Sequence, residues 1–120
     1  MCMKYLFFSL MIATFLSCNS ADQTNRVSPE MMSKGEQLFT NNCSNCHKPD
    51  DDFVGPALKD AALRWTDKQS LYAFVRNPDS VMAVNSYAQN LQQKYGGLMM
   101  VGSPTLSNED IDAILAYCNQ

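Results

Sequence analysis

Apolar residues recur at intervals of three and four along much of the chain after residue 28, which is the spacing of one helix face. Ser28 followed by Pro29 predicts a helix start, and this helix would run toward Cys43. The last segment, LSNEDIDAILAYCNQ, has the clearest start, because Ser107 can cap it and Asp110 stands three residues later. No stretch alternates convincingly with a period of two. The pattern therefore predicts an all-α domain.

The middle of the chain combines helical stretches with loops. The segment KPDDDFVGPALKDAALRW mixes proline, glycine and three consecutive aspartates, which predicts an ordered loop with at most a short helical turn near its end. A helix is predicted from Thr66 to the residue before Pro78, and another through Val81 to Tyr95, where two glycines end it. The segment LMMVGSPT has neither period and predicts a loop.

The first residues predict export. Lys4 precedes YLFFSLMIATFL, a stretch too short to span a bilayer and typical of a signal-peptide core. Ser17 before Cys18 resembles the lipobox of bacterial lipoproteins, in which the cysteine carries the lipid. We expect a signal peptide over 1–17, a polar, lipid-anchored tether over 18–27 and a folded domain over 28–120. The domain would face the periplasm; a plain secretory signal or an uncleaved anchor are the alternatives.

The charge of the chain and the size of the predicted domain reduce the number of functions to consider. The chain has 9 basic and 12 acidic residues and no basic run after the signal, so nucleic acid is not an expected partner. A domain of about 90 residues buries a modest core, so a bound cofactor or a covalent staple would help it to fold. The run from Asp50 to Asp52 is either a solvated loop or an acidic rim for a basic partner.

The segment NNCSNCHKPDDD carries the only histidine, His47, directly after Cys43 and Cys46. A thioredoxin-like redox pair would need a neighbouring strand. A zinc site could use these three residues with Cys118, although adjacent residues such as Cys46 and His47 rarely converge on one ion, and Cys118 also suits a small buried core position. In the third chemistry the two thiols attach a haem covalently and the histidine binds its iron.

Together these residues resemble the monohaem class I c-type cytochromes, and the resemblance covers essentially the whole predicted domain. Gly35 and Phe39 stand four apart in the first helix, and Ile114 and Tyr117 lie in the last, at the family's positions where these two helices cross. The resemblance implies a small cytochrome c fold, with about four helices around one covalently attached haem c.

The resemblance also assigns haem-pocket residues within and after GPAL. It implies that the carbonyl of Pro56 accepts a hydrogen bond from the ligating imidazole and that Leu58 packs on the haem face. It places Arg64 at a haem propionate and allows Trp65 to donate its indole N–H there. A solvated charge and a core aromatic are the alternative interpretations of Arg64 and Trp65.

A sixth iron ligand has few candidates. Because His47 is the only histidine, a second histidine ligand from this chain is excluded, and methionine is the usual alternative. Met99 and Met100 lie in the loop ahead of the last helix, where the family carries its methionine. Met100 precedes Leu106 by six residues, the commoner family spacing, so it is the predicted ligand and Met99 is the alternative.

Iron bound by His47 and a methionine has no open position for a substrate, so we expect a one-electron carrier and not an enzyme. Its partners would be redox proteins, such as a membrane oxidase, a reductase or another cytochrome. Two other functions stay open. A displaceable methionine would suit a peroxidase-like enzyme or a sensor, and a zinc-binding interaction module would need no haem.

Overall fold

A computed structural model describes residues 27–120. The predicted signal peptide, the proposed lipid-bearing Cys18 and residues 19–26 lie outside the described residues. All regular secondary structure within 27–120 is helical, which confirms the all-α prediction. The six helices in this part of the chain are α1 (Pro29–Asn42), α2 (Ala61–Arg64), α3 (Lys68–Arg76), α4 (Pro78–Met82), α5 (Ser86–Lys94) and α6 (Asn108–Cys118). None of them is long and apolar enough to cross a membrane.

The first and last helices begin where the sequence predicts. The side chain of Ser28 accepts a hydrogen bond from the backbone N–H of Met31 at 3.1 Å, and Pro29 occupies the first helical position. At the start of α6 the backbone N–H of Asp110 donates to Ser107 Oγ at 3.1 Å, while the Asp110 carboxylate accepts from the Ser107 N–H at 2.9 Å. This reciprocal capping box satisfies two N–H groups that a helix start otherwise leaves unpaired.

Six helices are present in residues 27–120 where about four were expected, because the single helix expected through Val81 to Tyr95 is broken in two and the short helical turn expected at the end of the preceding loop forms the separate helix α2. Asn85 has an extended backbone, and its side chain accepts a hydrogen bond from the N–H of Ala88 at 3.0 Å. A short polar side chain that bonds its own backbone competes with helix continuation, so Asn85 ends one turn and caps the next helix. The two glycines after Tyr95 have φ of 72° and 79°, as predicted.

Helices α1 and α6 cross at close range and form the largest helix pair in residues 27–120. A Cβ atom on Gly35 would collide with the backbone carbonyl of Ala113 and would lie 3.0 Å from Cβ of Tyr117. One turn further on, the rings of Phe39 and Tyr117 lie 5.5 Å apart. The missing side chain of Gly35 therefore sets the distance between the two helices, and the predicted crossing is confirmed.

The core is built mainly from α1, α3, α6 and the segments that join them. Trp65 is buried between Phe74 and Tyr87, with ring centroids 5.0 Å and 5.2 Å away. Cys118 is 1% exposed, which agrees with its prediction as a small buried side chain. The core also includes Phe39, Leu71, Tyr72, Val81, Leu106, Ile111, Ile114 and Leu115. Several of these side chains leave a cavity beside them, toward the segment that follows α1.

Candidate functional site

Two cavities share several lining residues and together form one cleft. The outer cavity has a volume of about 150 Å³, and its walls come from the segment after α1, from α5 and from the loop before α6. The inner cavity has a volume of about 80 Å³ and extends toward α3 and α6. The residues common to both are Cys43, His47, Pro56, Phe74, Leu91 and Met100. Most of this shared wall is apolar, which suits a large apolar ligand.

The Cys43, Cys46 and His47 segment leaves α1 as a tight turn. The backbone N–H groups of Cys46 and His47 both donate to the Cys43 carbonyl, at 3.0 Å and 2.8 Å. Cys46 is exposed at the outer cavity, while Cys43 and His47 are half-buried and line both cavities. The end of a helix and one turn thus bring all three side chains to the same cleft.

The ring of His47 is fixed from its Nδ1 side. Nδ1 lies 2.7 Å from the carbonyl oxygen of Pro56, so a ring protonated on Nδ1 donates this bond and keeps the Nε2 lone pair for a metal ion. The backbone N–H of Gly55 donates to the Cys46 carbonyl at 2.8 Å, which holds the loop against the histidine. This arrangement sets the ring orientation and strengthens the imidazole as a ligand.

The pKa values and surroundings of the three described cysteines can be compared with what a redox pair or a zinc site requires. Burial, with a smaller effect of Cys46, raises the pKa of Cys43 to about 11, and burial raises the pKa of Cys118 to about 12. A redox-active pair has a lowered thiol pKa and sits beside a strand, and residues 27–120 offer neither feature at Cys43. Within the described part, no three His, Cys, Asp or Glu side chains are arranged to hold a metal ion among themselves.

The residues assigned to the haem pocket by resemblance all border the cleft. Leu58, Arg64 and Trp65 line the inner cavity. The guanidinium of Arg64 donates to the carbonyl oxygens of Lys59 at 2.6 Å and Ala57 at 2.5 Å, so it ties the loop that carries Pro56 to α2. This loop contact is a role that the sequence did not suggest. Contact of Arg64 or Trp65 with a propionate stays a prediction.

The two candidate methionines occupy different places. Met100 is half-buried and lines both cavities, as His47 does. Met99 lines only the outer cavity and is 43% exposed. Its Sδ lies 2.7 Å from Nε2 of Gln92, which donates to it. Sequence reasoning missed Gln92, because one glutamine of a polar pair at a helix end carries no signal of its own.

Two of the three consecutive aspartates have partners within the chain. Asp50 pairs with Lys59 at 2.9 Å. Asp52 accepts from the Tyr95 hydroxyl at 2.6 Å and from the Ala57 N–H at 3.0 Å; the Tyr95 bond, followed by that of Ala57, lowers the pKa of Asp52 to about 2. The Asp50 pair stays within the loop after the cysteines, whereas the Tyr95 bond of Asp52 joins this loop to the end of α5.

Comparison with known proteins shows which family has this arrangement. The family profile described as Cytochrome c matches residues 32–120. The chain belongs to the cytochrome c family. A solved cytochrome c from Rhodothermus marinus is 33% identical, with a TM-score of 0.65 and 78% of each chain covered. An engineered form of that cytochrome, bound to a carbene intermediate, is 32% identical, with a TM-score of 0.61 and 78% and 79% covered. A comparison with curated protein sequences gave no match.

The residues of this cytochrome fit a covalently bound haem c with its iron. The thiols of Cys43 and Cys46 stand at the edge of an apolar cleft. The Nδ1 atom of His47 faces the Pro56 carbonyl, so its Nε2 atom is available to bind an iron. Gly55 has no side chain, and a Cβ there would enter the space that the imidazole occupies. When bound, haem c supplies an iron that gains and loses one electron. The cytochrome is therefore a haem-based electron carrier, whose partners are redox proteins.

Proposed function

We propose that this cytochrome carries single electrons on a haem whose iron is bound by His47 and Met100, with Cys43 and Cys46 as its thioether anchors. One observation carries the proposal. Of the two methionines in the loop before α6, Met100 alone lines both cavities together with His47. His47 is oriented by Pro56, and Met100 brings an uncharged, polarisable sulfur to the same cleft.

This ligand set suits electron transfer better than catalysis. A methionine sulfur favours reduced iron and raises the reduction potential, and two protein ligands leave no iron position for a substrate. The apolar walls of the cleft disfavour the additional charge of oxidised iron, which acts in the same direction. We therefore infer a carrier with no enzymatic activity of its own.

The proposal extends to place and partners. Cys18 would carry a lipid that anchors the protein to a membrane, with the cytochrome domain facing the periplasm. The partners would be redox proteins on that membrane face, such as an oxidase, a reductase or another cytochrome. Leu98 and Val101, which are 60% and 86% exposed, border the outer cavity and offer a small apolar surface for short-lived encounters. A shared membrane would raise the local concentration of both proteins.

The ligands are tested by absorption spectroscopy of the oxidised holoprotein. We expect a sulfur-to-iron charge-transfer band that disappears in Met100→Ala and persists in Met99→Ala. A haem stain on a denaturing gel should be positive for the intact protein and negative for Cys43→Ala with Cys46→Ala, because thioether bonds survive denaturation. A high-spin oxidised spectrum of the intact protein would favour the peroxidase-like enzyme or sensor. Absence of the stain in protein from its native host would favour the haem-free module.

The anchor and the partner surface need separate tests. Cys18→Ala should abolish labelling with a fatty acid and release the cytochrome from the membrane fraction, whereas Cys2→Ala should change neither.

For the partner surface, Asp51 is the informative aspartate, because Asp50 and Asp52 bind Lys59 and Tyr95 within the chain. If an acidic rim attracts a basic partner, Asp51→Asn slows electron transfer at low salt. A rate that is unchanged across ionic strength would rule the rim out.

A further inference from the structure

We propose that Gln92 determines which of two adjacent methionines binds the haem iron, by occupying the sulfur of Met99 and leaving that of Met100 free. The inference rests on the proposed function, because it takes His47 and a methionine as the axial ligands. It adds a positioning residue on α5 that is not itself a ligand.

Gln92 lies in the last turn of α5, is half-buried and lines the outer cavity. Its side-chain Nε2 donates to Sδ of Met99 at 2.7 Å and to the carbonyl oxygen of Gly97 at 3.3 Å. Its own backbone carbonyl accepts from the N–H of Gly97 at 2.8 Å. Through these three contacts Gln92 holds residues 97–99 against the end of α5.

Met100 is held differently. The chain beyond it is fixed where the N–H of Ser103 donates to the Val75 carbonyl at 2.8 Å. Gly102 sits against the junction of α3 and α4, where an added Cβ would lie 2.5 Å from the carbonyl oxygen of Arg76. Met100 is therefore placed between two anchored points. Its sulfur makes no hydrogen bond within residues 27–120, whereas that of Met99 does.

The chemistry of the thioether explains how this contact selects a ligand. Methionine sulfur is a weak hydrogen-bond acceptor and a soft metal ligand, and both interactions use its lone pairs. For Met99 to turn toward the iron, its bond to Gln92 must break and the side chain must leave its present rotamer. Since the two ligands are chemically identical, a small difference in that cost decides which of them is bound.

The experiment uses the holoprotein and combines substitutions at Gln92 and Met100. Met100→Ala alone should lose the sulfur-to-iron charge-transfer band, because Met99 stays bound to Gln92. In Gln92→Leu with Met100→Ala the band should return, since Met99 is released. Gln93→Leu with Met100→Ala is the matched control, because Gln93 is exposed in the same turn and makes no side-chain hydrogen bond in the described part of the chain. The control should stay without the band.

A second measurement needs no loss of the predicted ligand. With isotope-labelled methionine methyl groups, nuclear magnetic resonance of the reduced holoprotein should show one iron-bound methyl signal. Gln92→Leu alone should give a second signal from Met99. If Gln92→Leu is poorly folded, Gln92→Glu takes its place, because it keeps the size of the side chain but removes its N–H donor. This variant should also give a second iron-bound methyl signal.

Several outcomes would overturn the role of Gln92. Loss of the band in Met99→Ala would make Met99 the ligand. A band that persists in Met100→Ala, or one that fails to return in the haem-containing double variant, would show that Gln92 does not control the choice. These outcomes differ from a failure of the proposed function, in which the unsubstituted holoprotein has no sulfur-to-iron band at all.

Discussion

Gly55 lies so close to the ring of His47 that a Cβ atom on the glycine would be 2.6 Å from Cε1 and 3.1 Å from Nδ1. These separations are shorter than carbon and nitrogen atoms tolerate without moving. The ring on one side and the loop bond from Gly55 to the Cys46 carbonyl on the other leave little room for relaxation. A glycine is therefore required here by the position of the His47 imidazole.

Gly55→Ala should change the haem spectrum more than the stability of the protein. The new methyl group pushes the imidazole from its place and weakens its bond to Pro56, which makes it a poorer ligand. We expect a shifted reduction potential and a partial loss of the low-spin spectrum, measured by potentiometric titration and absorption. A variant with the same potential and spectrum as the unsubstituted protein would show that the ring accommodates the methyl group freely.

Gly35→Ala should lower the stability of the protein more than it changes the haem spectrum. Its Cβ would meet the backbone carbonyl of Ala113, so α1 and α6 must move apart. Overpacking typically costs about 1–3 kcal/mol, and a contact with rigid backbone belongs at the upper end of that range. Denaturant unfolding of the holoprotein measures the loss, with Ser33→Ala as an exposed control in the same helix. An unchanged free energy of unfolding would mean that the crossing distance is adjustable.

Stability should fall in acid through Asp110. Its hydrogen bond from Lys34, at 2.6 Å, followed by that from the N–H of Ser107, lowers the pKa of this carboxyl from 3.8 to about 2. The folded protein therefore holds this proton less tightly than the unfolded chain. The resulting stabilisation is complete above about pH 4 and disappears as the pH falls from about 4 to about 2. The free energy of unfolding should decrease over that window.

The acid effect has two matched variants. Asp110→Asn should flatten the pH dependence between about pH 4 and pH 2, whereas Glu109→Gln, in the same helical turn, should leave it unchanged. Ser107→Ala removes the other half of the capping box and should cost about 1 kcal/mol at neutral pH. An acid profile that is identical in Asp110→Asn and the unsubstituted protein would assign the decrease to other carboxylates.

Without its haem the polypeptide should be poorly folded. The cleft is lined by side chains from α1, α3, α5, α6 and two loops, so removal of the ligand leaves apolar walls facing a void. Cys43→Ala with Cys46→Ala, produced without haem attachment, should show a broad thermal transition at lower temperature and reduced helical circular dichroism. A melt as cooperative and as stable as that of the holoprotein would contradict this expectation.

Local signals in the sequence were enough for most of the helices. Ser28 and Ser107 start helices by bonding their own neighbouring backbone, so their effect is readable from a few residues. The break at Asn85 depends on the same kind of bond, but it interrupts an apolar pattern that is compatible with one continuous helix. The pattern records which residues are buried, and two helices with a short turn can bury nearly the same set.

Some residues of the site could likewise be predicted from the sequence, and others could not. The cysteine and histidine spacing identifies covalent haem chemistry, because that chemistry needs a fixed short spacing. Gln92 could not be found from the sequence, since its contact with Met99 exists only when the end of α5 meets the following loop. The loop contacts of Arg64 and the bond between Tyr95 and Asp52 likewise join residues whose proximity is decided by the fold.

The pairing of α1 with α6 has a consequence for shortened forms of the protein. The proposed haem anchors, Cys43 and Cys46, directly follow α1, while that helix has its main packing partner in α6, far along the chain. A chain that stops before α6 would carry its complete attachment segment on a helix with an uncovered face. Loss of α6 would thus keep the residues for haem attachment but expose the apolar side of α1, and such a shortened chain should be more susceptible to proteolysis than the intact domain.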